Sequence, residues 1–277
     1  MIAETKDYQA VAPLFAGWDE TMIWSCLSGQ MGHIYIPSDQ QEAPVSAAAI
    51  LGDFAFYVGR PDPELASFWP EDKENDFMIA TGREDAWKEL IEACYPGQFE
   101  TNERFAFYKE PESLDPAKLQ SFVDVLDPRF ELKLIDEKLY EKCKEQEWSW
   151  DFVSLYHDYE DYQAHGLGIL AMDGDKPVAG ASSYNSYVNW KEAGAALDPW
   201  FPDRINGIEI EIDTSEDYKR LGLASACGAK LILEAIKKGW YASWDAANEI
   251  SCHLAKKLGY RMHHAYQVAE INRVRKE

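Results

Sequence analysis

Apolar and acidic residues alternate in the stretch GIEIEID, residues 207–213, with the period of two that is typical of a β-strand. After a short polar turn, residues 223–238 carry apolar side chains at intervals of three and four, and Gly239 follows them. This pattern predicts a long helix that ends at the glycine. A shorter helix is predicted from Asn248, a favourable N-cap residue, to Gly259.

The rest of the second half also alternates between strand and helix patterns. Strands are predicted at 130–135, at 166–187 as a pair around an Asp-Gly turn, at 240–245 and at 260–271, and helical segments at 136–146 and, in part, at 149–166. The resulting order is β-α-α-β-β-β-α-β-α-β. We therefore expect an α/β (α+β) fold in which a mixed central sheet is flanked by helices.

The first half repeats part of this plan in pattern but not in identity. Residues 33–59 predict a strand, a polar turn that ends in proline and a strand of small residues, and residues 77–110 predict strand, helix and strand. We expect a degenerate copy of the second half, with an unrelated α/β domain as the alternative. Two prolines near residues 116–128 bracket a short helical segment, so the predicted domains are 1–128 and 129–277.

Composition narrows the classes of function. The 277 residues include 27 basic and 49 acidic side chains, a formal net charge of -22, which would repel a phosphate backbone and argues against nucleic-acid binding. A cationic partner fits this charge better, although an acidic surface also serves solubility alone. No leader and no apolar run of about 20 residues is present, so no membrane segment is expected. The five cysteines form no CxxC pair, and we expect a cytoplasmic protein without a metal site.

The polar turn before the long helix has the composition of an anion-binding site. A helix that starts directly after a strand directs unpaired backbone N–H groups and the positive end of its dipole outwards. Gly222 lets the backbone approach an anion, Ala224 keeps the first helical turn small, and Lys219 and Arg220 add positive charge. Phosphate or pyrophosphate is the expected ligand, while an ordinary helix start is the alternative. Neither GxxxxGK[ST] nor GxGxxG occurs, which argues against nucleotide hydrolysis and nicotinamide chemistry.

Two stretches, residues 218–239 and 244–260, together resemble the GNAT acyltransferase superfamily, and the resemblance covers about residues 130–277. In that family a [Q/R]-x-x-G-x-[G/A] turn binds the pyrophosphate of acetyl-CoA. The corresponding positions here are Lys219, Gly222 and Ala224. The lysine keeps the charge of the family's residue but not its identity.

A second family signature is an Asn that opens a helix closing on Leu-Gly-Phe/Tyr. It is met by Asn248 and by residues 258–260, which read Leu-Gly-Tyr. The run from residue 244 to 260 is most similar to a bacterial subgroup that includes zwittermicin-resistance-type acetyltransferases.

The resemblance implies a role for each matching position. The strand backbone that would pair with the pantetheine arm belongs to Ile212, Asp213 and Thr214. The residues that would surround the pyrophosphate are Arg220, Leu221, Gly222, Leu223 and Ala224, with Lys219 as a charge partner. Asn248 would both cap its helix and reach the pantetheine amide, although the cap alone also explains it.

Attack of an amine on a thioester needs a base that keeps the amine neutral. Glu209, Glu211 and Asp213 share one face of the predicted strand, and carboxylates shielded from water raise one another's pKa, which suits a base. A solvated strand face is the alternative. Relatives with a catalytic carboxylate on this strand carry it several residues before the turn. We therefore favour Glu209 as the base, acting through water, and Glu211 as a direct or substrate-anchoring group.

The leaving thiolate also needs a proton donor, and the position of the tyrosine that serves many GNAT enzymes is held by Ala255. Either the thiolate leaves without assistance or another tyrosine donates. The open candidates are Tyr218, Tyr260 and Tyr266.

The predicted loop at residues 183–206 is rich in aromatic residues: Tyr184, Tyr187, Trp190, Trp200 and Phe201. These rings either hold an ammonium group by cation–π attraction or join the two halves of the chain. The sequence thus predicts an acetyl-CoA-dependent N-acetyltransferase for a small-molecule amine, with a cationic amine among the candidates. The alternatives are a non-catalytic acyl-CoA sensor and a tandem-GNAT aminoacyltransferase, which the charge of -22 disfavours.

Overall fold

The computed structural model describes residues 1–71, 73, 75–188 and 206–274. Within them the chain forms two compact units. The first holds Met1–Arg104, residue 188 and residues 265–274, and the second holds Phe105–Tyr187 and residues 206–264.

The elements of the first hundred residues are β1 (Ile2–Thr5), α1 (Tyr8–Phe15), α2 (Thr21–Ser28), β2 (His33–Pro37), β3 (Ser46–Leu51), β4 (Phe54–Gly59), α3 (Pro63–Ala66), β5 (Phe77–Gly82), α4 (Asp85–Cys94) and β6 (Phe99–Phe107). The elements that follow are α5 (Pro116–Asp124), β7 (Phe130–Leu134), α6 (Glu137–Lys144), α7 (Tyr159–His165), β8 (Gly168–Asp173), β9 (Lys176–Tyr187), β10 (Gly207–Thr214), α8 (Leu223–Lys238), β11 (Tyr241–Ser243), β12 (Asp245–Ala246), α9 (Glu249–Leu258) and β13 (Met262–Asn272). Short 3₁₀ turns lie at Ser38–Gln40, Pro111–Ser113, Glu147–Phe152 and Glu216–Tyr218.

In the first unit the strands follow the order β1-β2-β3-β4-β5-β13. Neighbouring strands are antiparallel except β4 and β5, which are parallel. Trp87 of α4 is fully buried against this sheet and donates its indole N–H to the carbonyl of Gly59 at 2.9 Å. Gly82 approaches Trp87 so closely that an added Cβ would lie 2.1 Å from the tryptophan Cβ, so only glycine fits there. The strand, helix and strand predicted at 77–110 are confirmed.

In the second unit five strands form a mixed sheet in the order β11-β10-β9-β8-β7. The strands β7 to β10 are antiparallel, and β11 is parallel to β10. Helix α8 packs on this sheet, where its Cys227 and Leu231 are fully buried in one apolar cluster with Ile208 and Ile210 of β10. Burial of these alternating isoleucines explains the strand pattern, and the predicted mixed α/β fold is confirmed.

Contacts divide the chain differently from the predicted domains, whose boundary between residues 128 and 129 stays a prediction. Residues 105–128 belong to the second unit because Leu119 of α5 is fully buried in the cluster formed around α8. Residues 265–274 belong to the first unit because β13 pairs with β5, for example Ala269 with Ala80.

The single strand predicted at residues 240–245 is wrong, because the structure interrupts it at Trp244. Strand β11 pairs with β10, but β12 pairs with the end of β6, where Asp245 lies opposite Ala106. The indole of Trp244 is buried in the core and donates its N–H to the hydroxyl of Ser251 at 3.0 Å. The backbone thus changes its pairing partner, from β10 to β6, on either side of this buried side chain.

Candidate active site

Strands β10 and β11, at one edge of the second unit's sheet, separate part-way along β10. They pair only at residues 207–209, and from Ile210 to Thr214 β10 pairs with β9 alone among the described strands. A register shift between Glu209 and Ile210 marks the point of separation. The free edge of a strand offers backbone N–H and C=O groups to an extended ligand. This edge includes Ile212–Thr214, the backbone that the family resemblance assigns to the pantetheine arm. Within it the N–H of Thr214 donates to Asp213 Oδ1 at 2.6 Å.

Strand β10 leads through the turn at Glu216–Tyr218 into α8. Within the described part of the chain, Arg220 is the one non-glycine residue with a positive φ, at 65°, and Gly222 follows with φ 82° and ψ 0°. No described group accepts a hydrogen bond from the backbone N–H groups of residues 220–225. A turn with left-handed residues followed by a helix N-terminus gathers such donors around an anion.

The space in front of this turn is open, since a Cβ added to Gly222 would meet no atom within 4 Å. Lys219, the predicted charge partner, is hydrogen-bonded to Glu216, which raises the lysine's pKa and offsets its charge. A second cation, missed by the sequence analysis, comes from α9: Lys257 Nζ lies 2.9 Å from Ser225 Oγ in the first turn of α8. Only the crossing of the two helices brings these residues together, so no local signal could have indicated it. We call residues 219–225 with Lys257 the anion turn.

Asn248 occupies the N-cap of α9, as the sequence predicted. Its side-chain oxygen accepts the N–H of Ser251 at 2.9 Å, and its side chain is exposed. Its predicted contact with the pantetheine amide stays a prediction.

The three carboxylates of β10 differ in burial. Glu209 is only 3% exposed, Glu211 is partly buried and Asp213 is exposed. The alternative of a uniformly solvated face therefore does not hold at Glu209. A carboxylate removed from water at the point where two strands separate has the environment of a functional group.

Polar residues lie on both sides of Glu209. The strand register places Asn185 of β9 and Ser243 of β11 directly opposite it, and both are fully buried. Lys109, which is 8% exposed, donates its Nζ to Ser243 Oγ at 2.8 Å. We call Asn185, Glu209 and Ser243 the polar row. Lys109 follows β6, in the part of the chain assigned to the N-terminal domain, so the sequence did not associate it with this site.

The candidate general acids differ in their surroundings. Ala255, at the position of the usual tyrosine, is buried in the core. Tyr218 donates its hydroxyl to Asp173 at 3.0 Å, and this hydrogen bond raises the tyrosine's pKa. Tyr260 donates to the carbonyl of Ala242, and burial raises its pKa well above the ordinary value. Tyr266 belongs to the first unit.

Part of the predicted aromatic loop is a strand. Because β9 continues to Tyr187, which pairs with Gly207, the predicted start of the loop at residue 183 is wrong. Tyr184 and Tyr187 are buried side chains of β9. Trp190, Trp200 and Phe201 lie outside the described residues.

Two absences in the described part of the chain bear on the site. No group of three or more His, Cys, Asp or Glu side chains there is arranged to hold a metal ion. No described helix is long and apolar enough to cross a membrane.

Known proteins resemble this chain in sequence and in fold. The model of the GNAT acetyltransferase family matches residues 12–196 and 203–269. The crystal structure of a GCN5-related N-acetyltransferase-like protein from Streptococcus suis is 42% identical, with a TM-score of 0.83 over 95% of this chain and 98% of that one.

Two more distant structures are similar in fold alone. A Drosophila protein is 11% identical, with a TM-score of 0.56 over 98% of both chains. A tandem GNAT protein from the clavulanic acid biosynthesis pathway is 8% identical, with a TM-score of 0.53 over 100% of this chain and 99% of that one. The search of curated proteins found no match. Because the family model spans most of the sequence and the Streptococcus suis relative aligns over nearly its whole length, this chain belongs to the GNAT acetyltransferase family.

Proposed function

We propose that the protein is an acetyl-CoA-dependent N-acetyltransferase that acts on a small amine. Membership of the family supports acyl transfer in general. The observation that carries the proposal is the edge of β10 at Ile212–Thr214, which pairs with no described strand on the side of β11. This edge leads through the turn at Glu216–Tyr218 into the anion turn, where no described group accepts the N–H groups of residues 220–225. An extended chain of amides that ends in a pyrophosphate is the ligand that these two features complement.

Acyl-CoA binding would use backbone groups for most of its contacts. The pyrophosphate would accept hydrogen bonds from the amides of residues 220–224, close to Gly222, where no side chain intervenes. Lys257 would supply the nearby positive charge, and Lys219 a smaller share because Glu216 pairs with it. The backbone of Ile212–Thr214 would pair with the pantetheine arm, and Asn248 would reach its amide.

The chemistry would start from an ammonium group and end in an amide and a thiol. One ammonium proton passes through water to the carboxylate of Glu209. The neutral nitrogen then attacks the thioester carbon, so that an N–C bond forms and the C–S bond breaks. The second proton lost by the nitrogen goes to the departing sulfur, and Glu209 returns its proton to solvent. With Ala255 at the usual tyrosine position, this second proton passes from the nitrogen to the sulfur directly or through solvent.

The acceptor would be a small molecule with a primary amine, and the net charge of -22 favours a cationic one. Glu211, partly exposed beside Glu209, is our proposed anchor for it. The similarity to zwittermicin-resistance-type enzymes stays a prediction, because the comparisons identify the family and not a subgroup. All five cysteines are free thiols, which suits the cytoplasm that we propose as the compartment.

A sensor that binds acyl-CoA without turnover is the second candidate, and Ala255 in place of the tyrosine favours it. Two measurements separate the candidates: calorimetric titration with acetyl-CoA, and a thiol-release assay over a panel of aminoglycosides, polyamines and amino acid amides. We expect micromolar binding and release with at least one amine. Binding without release for any amine supports the sensor, and no binding contradicts both candidates.

A further inference from the structure

Asn185 is a buried polar residue whose side chain has no hydrogen-bond partner among the described residues. Its side chain is fully buried, and neither its amide nitrogen nor its amide oxygen forms a hydrogen bond with any described residue. Its neighbours on β9 behave differently. Ser182 Oγ donates to the carbonyl of Phe152 at 2.7 Å, and Ser183 Oγ accepts from Tyr156 at 2.7 Å. A buried carboxamide with nothing to bind destabilises a fold, so it indicates a partner from outside the chain.

The position of Asn185 in the sheet places it beside the proposed base. The register sets it directly opposite Glu209, the proposed base, and residues opposite each other in an antiparallel pair have Cβ atoms about 4.5–5.5 Å apart. Carboxamide and carboxylate thus lie close together without bonding directly. A water molecule requires two to four polar partners, and this pair offers both donors and acceptors.

We propose that Asn185 is a positioning residue that holds a water molecule against Glu209, and that this water carries the proton of the acceptor amine. The inference rests on the proposed acetyltransferase function. The ammonium N–H bond breaks and its proton joins the water oxygen, while one of the water's own protons passes to a carboxylate oxygen of Glu209. A neutral carboxamide suits this task because it orients the water and does not compete with Glu209 for the proton.

The test compares Asn185→Leu, which has nearly the same size but no hydrogen-bonding groups, with Ser182→Ala as a matched control on the same strand. The serine has internal partners, so its variant should lose stability and keep kcat and its pH profile. Asn185→Leu should be at least as stable as wild type in urea, because no described residue loses a hydrogen bond and an apolar side chain replaces a buried polar one. It should keep the affinity for acetyl-CoA and the KM for the amine within about threefold, while kcat falls by about 10-fold or more.

A double-mutant cycle decides whether Asn185 acts through Glu209. In a Glu209→Gln background, adding Asn185→Leu should change kcat less than about twofold, since both act on one proton transfer. If the two single losses of kcat multiply in the double variant, the inference is overturned. It is also overturned if Asn185→Leu alone raises the amine KM and leaves kcat unchanged, because Asn185 would then bind the acceptor directly.

A crystal structure of the wild-type protein gives a readout that does not require turnover. We expect electron density for a water within hydrogen-bonding distance of both Asn185 and Glu209, and its absence overturns the inference. If the wild-type protein fails to release thiol with every amine of the panel, the proposed function fails. The proposed role of the water in proton transfer then fails as well. The electron density still decides separately whether Asn185 and Glu209 hold a water.

Discussion

Lys109 Nζ lies 2.8 Å from the hydroxyl oxygen of Ser243, 134 residues later in the chain. Ser243 is the register partner of Glu209, so this contact brings a buried ammonium group to one end of the polar row. A nearby cation favours the ionised form of a carboxylate, the form that a base requires.

Replacing Lys109 by Met should therefore reduce the fraction of Glu209 that is ionised at low pH. We expect the acidic limb of the pH–kcat profile to move to higher pH, because the carboxylate of Glu209 loses a favourable charge. Acetyl-CoA affinity should stay the same in a calorimetric titration. Lys142→Met is the control, since Lys142 is partly exposed and, among the described residues, bonds to the carbonyl of Asp175 alone. An unshifted limb in Lys109→Met would remove Lys109 from the proton-transfer step.

Gly222→Asp should abolish measurable binding of acetyl-CoA, because it puts a negative charge in front of the unpaired amides. Gly222→Asn is the isosteric comparison, as Asn tolerates the left-handed backbone, and it should bind at least about 10-fold more tightly than the Asp variant. Gly239→Asp, at the opposite end of α8 with φ 72° and equally open space, controls for strain and should bind as wild type does. A folded Gly222→Asp protein with normal affinity would show that no pyrophosphate lies there.

Lys257→Gln should weaken acetyl-CoA binding by about 3- to 10-fold, the scale of one partly exposed cation at a helix N-terminus. The loss should shrink as salt rises from 50 to about 500 mM, since screening weakens the wild-type contact. Lys256→Gln, one residue earlier on the exposed surface, serves as the charge-matched control. Equal losses in both variants would point to general electrostatics instead of a contact in the anion turn.

Glu209→Gln should lower kcat by about 10²-fold or more, the usual scale of a general base. Its residual rate should recover as pH rises, because the amine then loses its proton in solution. Glu211→Gln should mainly raise the KM of a cationic acceptor. The KM of an acceptor that carries no charge besides its reacting amine should change less. Steady-state kinetics from pH 6 to about 10 check both variants. If Glu209→Gln keeps full kcat over this range, the assignment of the base is incorrect.

Asn248→Ala should destabilise the protein by about 1 kcal/mol, because the first turn of α9 loses its cap. Asn248→Ser keeps a capping oxygen and should unfold at nearly the wild-type urea concentration. A contact with the pantetheine amide would show as a similar loss of acetyl-CoA affinity in both variants. Wild-type affinity in Asn248→Ser would restrict Asn248 to its capping role.

The features of the site that the sequence alone indicated are those that depend on neighbouring residues. A period of two predicts β10, a period near 3.6 predicts α8, and the chemistry of Gly222 and Asn248 predicts a turn and a cap. These patterns arise from backbone geometry within a few residues, so they can be recognised without knowledge of the rest of the fold. The family resemblance rests on the same local run.

Only the tertiary structure decided which distant residues meet. A stretch that by pattern alone predicts one strand pairs with β10 as far as Ser243 and with β6 from Asp245, and the buried Trp244 lies between the two. Lys109 beside Ser243, Lys257 beside Ser225 and Asn185 opposite Glu209 join segments between 24 and 134 residues apart. Such contacts depend on packing and strand register, in which a shift of one residue would turn each side chain to the other face. The sequence therefore determined the turn that would bind the anion, and the fold determined the charges and polar groups that surround the proposed base.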